Sequence, residues 1–414
     1  MIETTLSEIS KYLTEEVIDR AFKSKTESKD SIKSITLSRA APAGEGLLSA
    51  VYRIHVTGYK HKARFIVKGL VKDLVLRKSL DCPRFFVRES EFFVNILPIL
   101  SEFQISTGAK ERIQNHVPKC YGCHIDAAND YILIEDVGET NCKDISGHLS
   151  QENKNRILDV LAHFHAVSMV LRLKKPDLFD KIATSIPEIY FTPEKRKWYA
   201  QYLQNAIDID RNVLAEFFDP ENIYLKKFEE ITKQDPFGQL STAAMSRGDN
   251  AVFCHGDCWS PNFLLSKERA VAIDFQLVRC TSPATDIGFF ILTNECKDKK
   301  DFIDAIDIYY SALDYYLKDM GVSSSEVFSR DTLADELQKF GRYIFFTSMT
   351  SIPLLASKRV PAVSPYKRSR LFPPWIMTLE QIFLVLKTYN CHDHAPIFCF
   401  LLFLILLNFN FFDD

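Results

Sequence analysis

The stretch VFCHGDCWSPNFLLSKERAVAIDFQLV, residues 252–278, carries three oxygen-bearing side chains at a specific spacing. Asp257 precedes Asn262 by five residues, and Asp274 opens an aspartate–phenylalanine turn after the apolar run Ala270–Ile273. Phosphoryl transfer needs an aspartate to accept the proton of the acceptor hydroxyl, and an asparagine and a second aspartate to bind metal ions. The spacing therefore predicts Asp257 as the catalytic residue and Asn262 and Asp274 as ligands of Mg²⁺. A strand-end turn with a helix-capping residue is the alternative.

A glycine-rich segment lies upstream, in the order that this chemistry requires. GEGLLSAV follows the pattern G-x-G-x-x-G-x-V, with Gly44 and Gly46 at the first two glycines and Ser49 at the third. The segment lies between two predicted strands, so its backbone N–H groups could cover the phosphates of ATP. An ordinary hairpin turn is the alternative for this segment taken alone.

Two more elements complete the predicted ATP site. Lys68, in the strand RFIVKGL, is predicted to contact the α- and β-phosphates. Glu89, in FFVRESEFF, is predicted to hold the Lys68 ammonium in place, and Glu91 is its competitor. YILIEDV is predicted to link two lobes, with backbone groups from Glu135 to Val137 bonding the adenine; an edge strand with two surface acids is the alternative.

Hydrophobic periodicity divides the chain into two regions. From 31 to about 137, alternating apolar and polar residues predict about five antiparallel strands with one helix over 83–103. Helical periodicity dominates afterwards. The prediction is an α+β, two-lobed protein-kinase-like fold with a small antiparallel sheet lobe and a larger, mainly helical lobe. The predicted domains are a nucleotide-binding lobe at 1–137, a helical lobe with catalytic loop and acceptor pocket at 138–385, and an atypical apolar tail at 386–414.

The first 25 residues predict one amphipathic helix with Ile9, Leu13, Val17 and Ile18 on one side. They contain early acids and no apolar run, which does not fit a secretory signal. The ten cysteines are therefore predicted to be reduced thiols in a cytoplasmic protein.

Charge and hydropathy limit the classes of partner that the protein could bind. The formal net charge is −3 and no long basic run is present, which argues against a nucleic-acid binder. Ile397–Leu407 is an uninterrupted apolar run, but a membrane span needs about twenty residues. A packed or aberrant tail is preferred to a membrane anchor. Nothing in the pattern predicts an oligomeric state.

VFCHGDCWSPNFLL and AIDFQLVRCTSPATDIGFF together resemble the ecdysteroid kinase-like family, also called choline-kinase-like, which is related to aminoglycoside phosphotransferases. RESEFFVNILP, LIEDV and LAHFHAVS are further matches, and the resemblance spans about 30 to 350. It implies a kinase-like fold, ATP as the donor, and a hydroxylated small molecule such as a steroid hormone or a plant xenobiotic as the acceptor.

The resemblance also implies residue roles: Asp257 as the base, Asn262 and Asp274 as the magnesium ligands, and Lys68 as the phosphate contact. His255 would be structural, and Asp286 would brace the catalytic loop. The sequence after about Tyr366 departs from the helical end of the family.

Other functions fit the sequence less well. A protein kinase would need an activation segment, but only eleven residues separate Asp274 from Asp286 and no A-P-E follows. A choline- or aminoglycoside-type kinase and a nucleotide-binding pseudokinase stay open. Cys120–His124 matches a haem-attachment pattern but is preferred as strand thiols, and Cys391–His394 is preferred as a linker over a metal site. Five aromatics could line an acceptor pocket, although packing in the core is preferred for each one: Trp198, Tyr199, Tyr202, Tyr309 and Tyr343.

Overall fold

A computed structural model of the chain describes residues 5–40, 48–143, 149–217, 219–267, 269–294, 296 and 299–358. Gly44, Gly46, the tail at 386–414 and Cys391–His394 lie outside the described residues. The strands are β1 Ile32–Arg39, β2 Ser49–Gly58, β3 Lys62–Leu70, β4 Cys120–His124, β5 Tyr131–Glu135, β6 Val252–Cys254, β7 Phe263–Leu265, β8 Ala270–Ala272 and β9 Arg279–Thr281.

The helices outnumber the strands. They are α1 Leu6–Ile9, α2 Glu15–Thr26, α3 Leu74–Leu80, α4 Cys82–Glu91, α5 Leu97–Ser106, α6 Gln151–Lys174, α7 Pro176–Ser185, α8 Arg196–Phe217, α9 Ile223–Lys233, α10 Pro236–Met245, α11 Pro283–Thr293, α12 Lys299–Asp319, α13 Ser324–Val327, α14 Arg330–Lys339 and α15 Gly341–Lys358.

The chain divides into two compact units. The first unit comprises Met1–Asp144 and Phe263–Val278, and the second comprises Ile145–Asn262 and Arg279–Asp414. Asp274 belongs to the first unit, and Asp257 and Asn262 belong to the second. An antiparallel sheet in the first unit and a mainly helical second unit confirm the predicted α+β fold class. The predicted domain limits stay predictions.

The sheet of the first unit has five strands in the order β1-β2-β3-β5-β4, and every neighbouring pair is antiparallel. Alternation places Tyr52, Ile54 and Val56 of β2 on a buried face, as period-two strands require. Helix α2 covers this core with Ile18 and Phe22. The register sets Lys68 opposite both Val51 and Ile132, in the middle of the sheet.

The single N-terminal helix predicted from periodicity is wrong. The structure has two helices, α1 and α2, separated at Ser10–Thr14. The Ser10 hydroxyl donates to the Asn129 carbonyl at 2.6 Å, and the Ser10 backbone is extended. Thr14 also adopts an extended N-cap conformation before α2. Serine and threonine hydroxyls commonly compete with helical bonding in this way.

The helix predicted over 83–103 forms, with an irregular turn in its middle. A π-helical turn, Phe92–Ile96, joins α4 to α5, and the Leu97 N–H bonds the Phe92 carbonyl. Pro98 has no N–H to donate to the carbonyl four residues earlier, so the wider turn falls where the α-helical ladder is interrupted. The preceding helix α3 was not predicted.

Helix α6 forms the buried centre of the second unit, and α11 is buried along its whole length. Strands β6 and β9 pair antiparallel, with Cys254 opposite Arg279. Across the described residues, no helix has both the length and the apolar composition needed to cross a membrane. The apolar run Ile397–Leu407 lies outside the described residues.

Helix α8 carries a carboxyl group in its apolar stripe. Asp210 is 1% exposed, and in the described part of the chain neither carboxylate oxygen has a hydrogen-bond partner. It lies on the buried face that also holds Leu203, Ile207 and Leu214. Burial raises the pKa of Asp210 well above its usual value. The folded protein therefore keeps a proton that the unfolded chain releases above about pH 4.

We expect Asp210→Leu to raise the free energy of unfolding by about 1–3 kcal/mol at neutral pH, because it removes an unsatisfied buried polar group. The gain should shrink as the pH falls to about 4, where the unfolded chain also holds the proton. Urea unfolding at several pH values measures both effects. Asp208→Leu, on the same helix at an incompletely buried position, is the control; an equal gain there would contradict the assignment.

Candidate active site

Three ionised groups of the first unit meet at Lys68. Its Nζ donates to Glu89 Oε1 at 2.8 Å and Oε2 at 3.0 Å, and to Asp274 Oδ1 at 2.7 Å. Lys68 and Glu89 are buried, whereas the Asp274 side chain is 27% exposed. Burial alone would lower the pKa of Lys68, but the two carboxylates outweigh it and raise the pKa above its usual value. A fixed ammonium is therefore held beside a partly exposed carboxylate.

Helix α4 and its π-helical extension fix the turn that carries Asp274. Phe275 stacks on Phe92 with ring centroids 3.7 Å apart, and its backbone N–H donates to the Glu89 carboxylate. Arg88 Nη1 donates to the Val278 carbonyl at 2.5 Å. Asp274 has a φ of 69°, a left-handed conformation that aspartate tolerates better than most residues. Helix α4 and its extension therefore hold the residues that follow Asp274.

The other predicted nucleotide-binding residues also belong to the first unit. Ser49 begins β2 and pairs with Leu70, directly after the undescribed glycines. The Glu135 N–H donates to the Lys119 carbonyl at 2.8 Å, so a linker N–H that bonds adenine would have to come from a later residue such as Val137. Val137 is buried and begins a short 3₁₀ turn.

The predicted catalytic loop lies in the second unit. Asn262 Nδ2 donates to Asp257 Oδ2 at 2.9 Å and to the Asp257 carbonyl at 2.8 Å. His255 is 1% exposed, and its Nδ1 accepts the Asp257 N–H at 3.2 Å. Asp257 itself is half-buried. Asn262 thus orients the Asp257 carboxylate, His255 holds the Asp257 backbone, and the side chain stays partly accessible.

Asp286, at the start of α11, anchors the backbone of this loop. Its Oδ2 accepts the His255 N–H at 2.7 Å, and its Oδ1 accepts the Gly256 N–H at 3.0 Å. Gly256 has a φ of 81°, which favours glycine. Burial alone would raise the pKa of Asp286, but His165, His255 and the loop N–H groups lower it below the usual value. The Asp286 carboxylate is therefore ionised, and both of its oxygens accept hydrogen bonds from the loop.

Sequence reasoning did not identify the partners behind Asp286. His165 of α6 lies with Nε2 3.3 Å from Asp286 Oδ2 and with Nδ1 2.9 Å from the Tyr309 hydroxyl. Its two ring nitrogens are occupied by these neighbours, so the buried group that also contains Cys254 is explained as a hydrogen-bond network rather than a metal site. The sequence showed only the helical spacing of the apolar residues around His165, and that residue was given no role.

The remaining sequence candidates lie on regular elements. Cys120–His124 is strand β4, and burial raises the pKa of the Cys120 thiol to about 12. The eight cysteines among the described residues are free thiols. Of the aromatic candidates, Tyr199, Tyr309 and Tyr343 are buried and Tyr202 is half-buried.

Each unit carries donor groups of the kinds that ATP or a hard divalent cation needs. Asp274 offers a partly exposed carboxylate, and Asn262 offers an amide oxygen because its NH₂ group already bonds Asp257. Carboxylate and amide oxygens are the ligand types that Mg²⁺ and Ca²⁺ prefer. The charged ammonium of Lys68 suits phosphate oxygens.

We expect Glu89→Gln to weaken ATP binding by about tenfold, since a charge-assisted bond that positions the Lys68 ammonium is worth about 1.5–3 kcal/mol. Titration with a fluorescent ATP analogue measures the dissociation constant. Glu91→Gln is the matched control, because Glu91 instead accepts a bond from Asn95 at 2.7 Å. Equal losses in both variants would contradict a specific role for Glu89.

Two solved kinase structures show a distant likeness to the chain. The chain is similar in structure to an amicoumacin kinase solved with AMP-PNP and Ca²⁺, at 15% identity, covering 87% of this chain and 89% of that chain, with a TM-score of 0.40. It is also similar to a choline kinase from Cryptosporidium parvum, at 14% identity, covering 91% and 94%, with a TM-score of 0.40. At these TM-scores, neither likeness carries an argument. A comparison with curated proteins finds no sequence match.

The sequence profile of the ecdysteroid kinase-like family matches residues 43–322, which is more than half of the chain. The match contains the Lys68 site, the catalytic loop and Asp286. It confirms the resemblance seen in the motifs. The chain therefore belongs to the ecdysteroid kinase-like family.

Proposed function

We propose that the protein is an ATP-dependent small-molecule kinase that transfers the γ-phosphoryl group to an alcohol. The observation that carries the proposal is the Lys68 ammonium, bonded to Glu89 and to Asp274 at 2.7–3.0 Å. A lysine on the third strand paired with a helix glutamate is the arrangement that kinases use to hold ATP phosphates. Membership of a kinase-like family supports the same function.

In the proposed reaction, the acceptor oxygen forms a bond to the γ-phosphorus, and the bond from that phosphorus to its bridging oxygen breaks. Asp257 takes the hydroxyl proton, and Asn262 orients the Asp257 carboxylate. Lys68 would bind phosphate oxygens, and Asp274, which accepts a bond from Lys68 at 2.7 Å in this structure, would help to hold a divalent cation. Mg²⁺ would supply charge neutralisation of the phosphate oxygens.

The acceptor proposed is a steroid-like or xenobiotic alcohol. Aromatic side chains of the second unit support this class, because Tyr190 and Tyr202 are half-buried within a group of aromatic rings. Sites for such ligands are largely apolar with a few polar groups. Aromatic faces also bind quaternary ammonium groups, so a choline-type acceptor is the competing proposal.

The test is a panel assay with ATP and Mg²⁺ against hydroxylated steroids, plant glycosides, choline and an aminoglycoside. Product mass and ADP release are measured together, and ATP affinity is measured separately by titration. A steroid or glycoside phosphate supports the proposal. If phosphocholine or a phosphorylated aminoglycoside were the sole product, the proposed steroid-like or xenobiotic acceptor would be wrong. ATP binding with no product from any acceptor would identify a pseudokinase and overturn the proposed activity.

A further inference from the structure

One buried cation in the second unit touches both the catalytic loop and a separate aromatic turn. Arg279, the first residue of β9, is 3% exposed. Its Nη2 donates to the Gly256 carbonyl at 3.2 Å, next to Asp257, and its Nη1 donates to the Tyr343 hydroxyl at 2.7 Å. The same Nη1 lies 3.2 Å from Glu188 Oε2. One guanidinium group therefore joins three elements that are distant in sequence.

Glu188 connects Arg279 to the turn at residues 188–191. Its Oε1 accepts the backbone N–H groups of Tyr190 at 2.6 Å and Phe191 at 3.0 Å. The Arg279 guanidinium also lies over the Phe191 ring, 5.3 Å from its centroid. Burial opposes the charged form of Arg279, but Glu188, Tyr343 and Asp286 together outweigh it, so the pKa of Arg279 is raised. The pair is thus a fixed ionic link between the catalytic loop and the 188–191 turn.

The turn is part of an aromatic cluster, defined as Tyr190, Phe191, Tyr199, Tyr202 and Tyr343. Tyr190 lies 5.3 Å from Tyr199 between ring centroids, and Tyr199 lies 5.8 Å from Tyr202. Tyr190 and Tyr202 are half-buried, whereas the other three are buried. The pKa of Tyr190 is raised by burial first and then by neighbours that include Asp257. Arg279 bonds the Gly256 carbonyl and lies 3.2 Å from Glu188, whose Oε1 accepts the Tyr190 N–H, so the accessible edge of the cluster is linked to the segment that carries the proposed base.

We propose that Arg279 and Glu188 are positioning residues that hold Asp257 at a fixed distance from the accessible edge of the aromatic cluster, where the ring system of the alcohol acceptor binds. The inference rests on the proposed kinase function. An apolar side chain would fill the position of Arg279 without the cost of burying a charge. The planar guanidinium spreads its N–H donors over separate nitrogens and so reaches three acceptors at different places, which the compact ammonium of lysine does not. The link thereby couples acceptor binding to the orientation of the base.

The variants are Arg279→Lys, which keeps the charge but loses the fork, and Glu188→Gln, which keeps an oxygen for the turn but loses the ionic link. In each, kcat/KM for the acceptor is expected to fall by about 10- to 100-fold, since small misplacements of reacting groups have effects of this size. ATP affinity should be unchanged. The double variant should lose little more kcat/KM for the acceptor than either single variant, because both substitutions break the same link.

Hydrogen exchange provides a readout that needs no turnover. Peptides containing 188–191 and 255–258 should both exchange faster in Arg279→Lys and in Glu188→Gln. Arg172→Lys is the control: Arg172 donates to the Ala251 carbonyl at 2.7 Å in the same unit, and its change should leave 188–191 unaffected.

Unchanged exchange at 255–258 in both variants would overturn the link. If ATP affinity fell as strongly as kcat/KM for the acceptor, the positioning role would be overturned, because that result would indicate general unfolding. If the wild type phosphorylates no acceptor, the proposed function fails, and the exchange measurements still decide whether the two segments are coupled.

Discussion

Asp257→Asn is expected to lower kcat by about 10²- to 10⁴-fold, the usual contribution of a general base. An amide cannot take the proton of the acceptor hydroxyl. The substitution keeps the shape of the side chain and leaves an oxygen that can accept from Asn262 Nδ2. ATP affinity should therefore stay within about twofold of the wild type, because binding of ATP and proton transfer are separate contributions. Steady-state kinetics with the best acceptor of the panel and ATP titration measure the two effects.

Asp249→Asn makes the same chemical change at an exposed position shortly before β6 and is expected to behave as the wild type. If Asp257→Asn retained a wild-type kcat, Asp257 would not be the base and the catalytic loop would need another assignment. If it lost ATP binding as strongly as kcat, the role of the residue would lie in binding.

Asp286→Asn is expected to lower the free energy of unfolding by about 3–5 kcal/mol, because the variant loses a buried carboxylate that is paired and fully hydrogen-bonded. An amide has one oxygen for the two N–H groups of His255 and Gly256, and its NH₂ group would face one of these donors. We expect kcat to fall as well, since the loop that carries Asp257 loses its backbone anchor. Urea unfolding and kinetics at a temperature where the variant is folded measure both effects.

The pH dependence separates a lost charge from a simple packing defect. Because the folded pKa of Asp286 is lowered, its contribution is present above the unfolded pKa of about 3.9 and is lost as the pH falls through the folded value. The difference between the variant and the wild type should therefore be large at pH 7 and smaller below about pH 4. Asp335→Asn, an exposed position on α14, is the control. A difference that does not change with pH would show that the charge is not what Asp286 contributes.

Local patterns predicted the sheet well. About five antiparallel strands were predicted, and the alternating segment SAVYRIHVTG forms one of them, β2, Ser49–Gly58, because alternation and short flanking turns specify a half-buried strand. The prediction of one N-terminal helix was wrong because the spacing of apolar residues does not show which groups the serine and threonine hydroxyls bond. Ser10 finds its partner at Asn129, a contact that no local pattern contains.

The site could be predicted only in part. The spacing of Asp257 and Asn262 is local and appears in the sequence, and the Lys68–Glu89 contact follows from the order of strand and helix. The link from Arg279 to Glu188 joins residues that are far apart in the sequence and has no motif. Such contacts are set by tertiary packing rather than by periodicity. The roles given to the predicted site residues remain proposals.

The chain leaves and re-enters the first unit, and this path restricts how the protein can be divided. Lys143 and Leu265 exchange backbone hydrogen bonds at 2.9 Å, and Val271 of β8 packs against Val137. A fragment that stops at 144 would therefore lack a hairpin that completes its own core. Splicing the first 144 residues of one relative onto the remainder of another would combine a hairpin and a sheet of different origin, so recombination by one junction should yield poorly folding chimeras, whereas moving Phe263–Val278 together with the N-terminal segment should restore them.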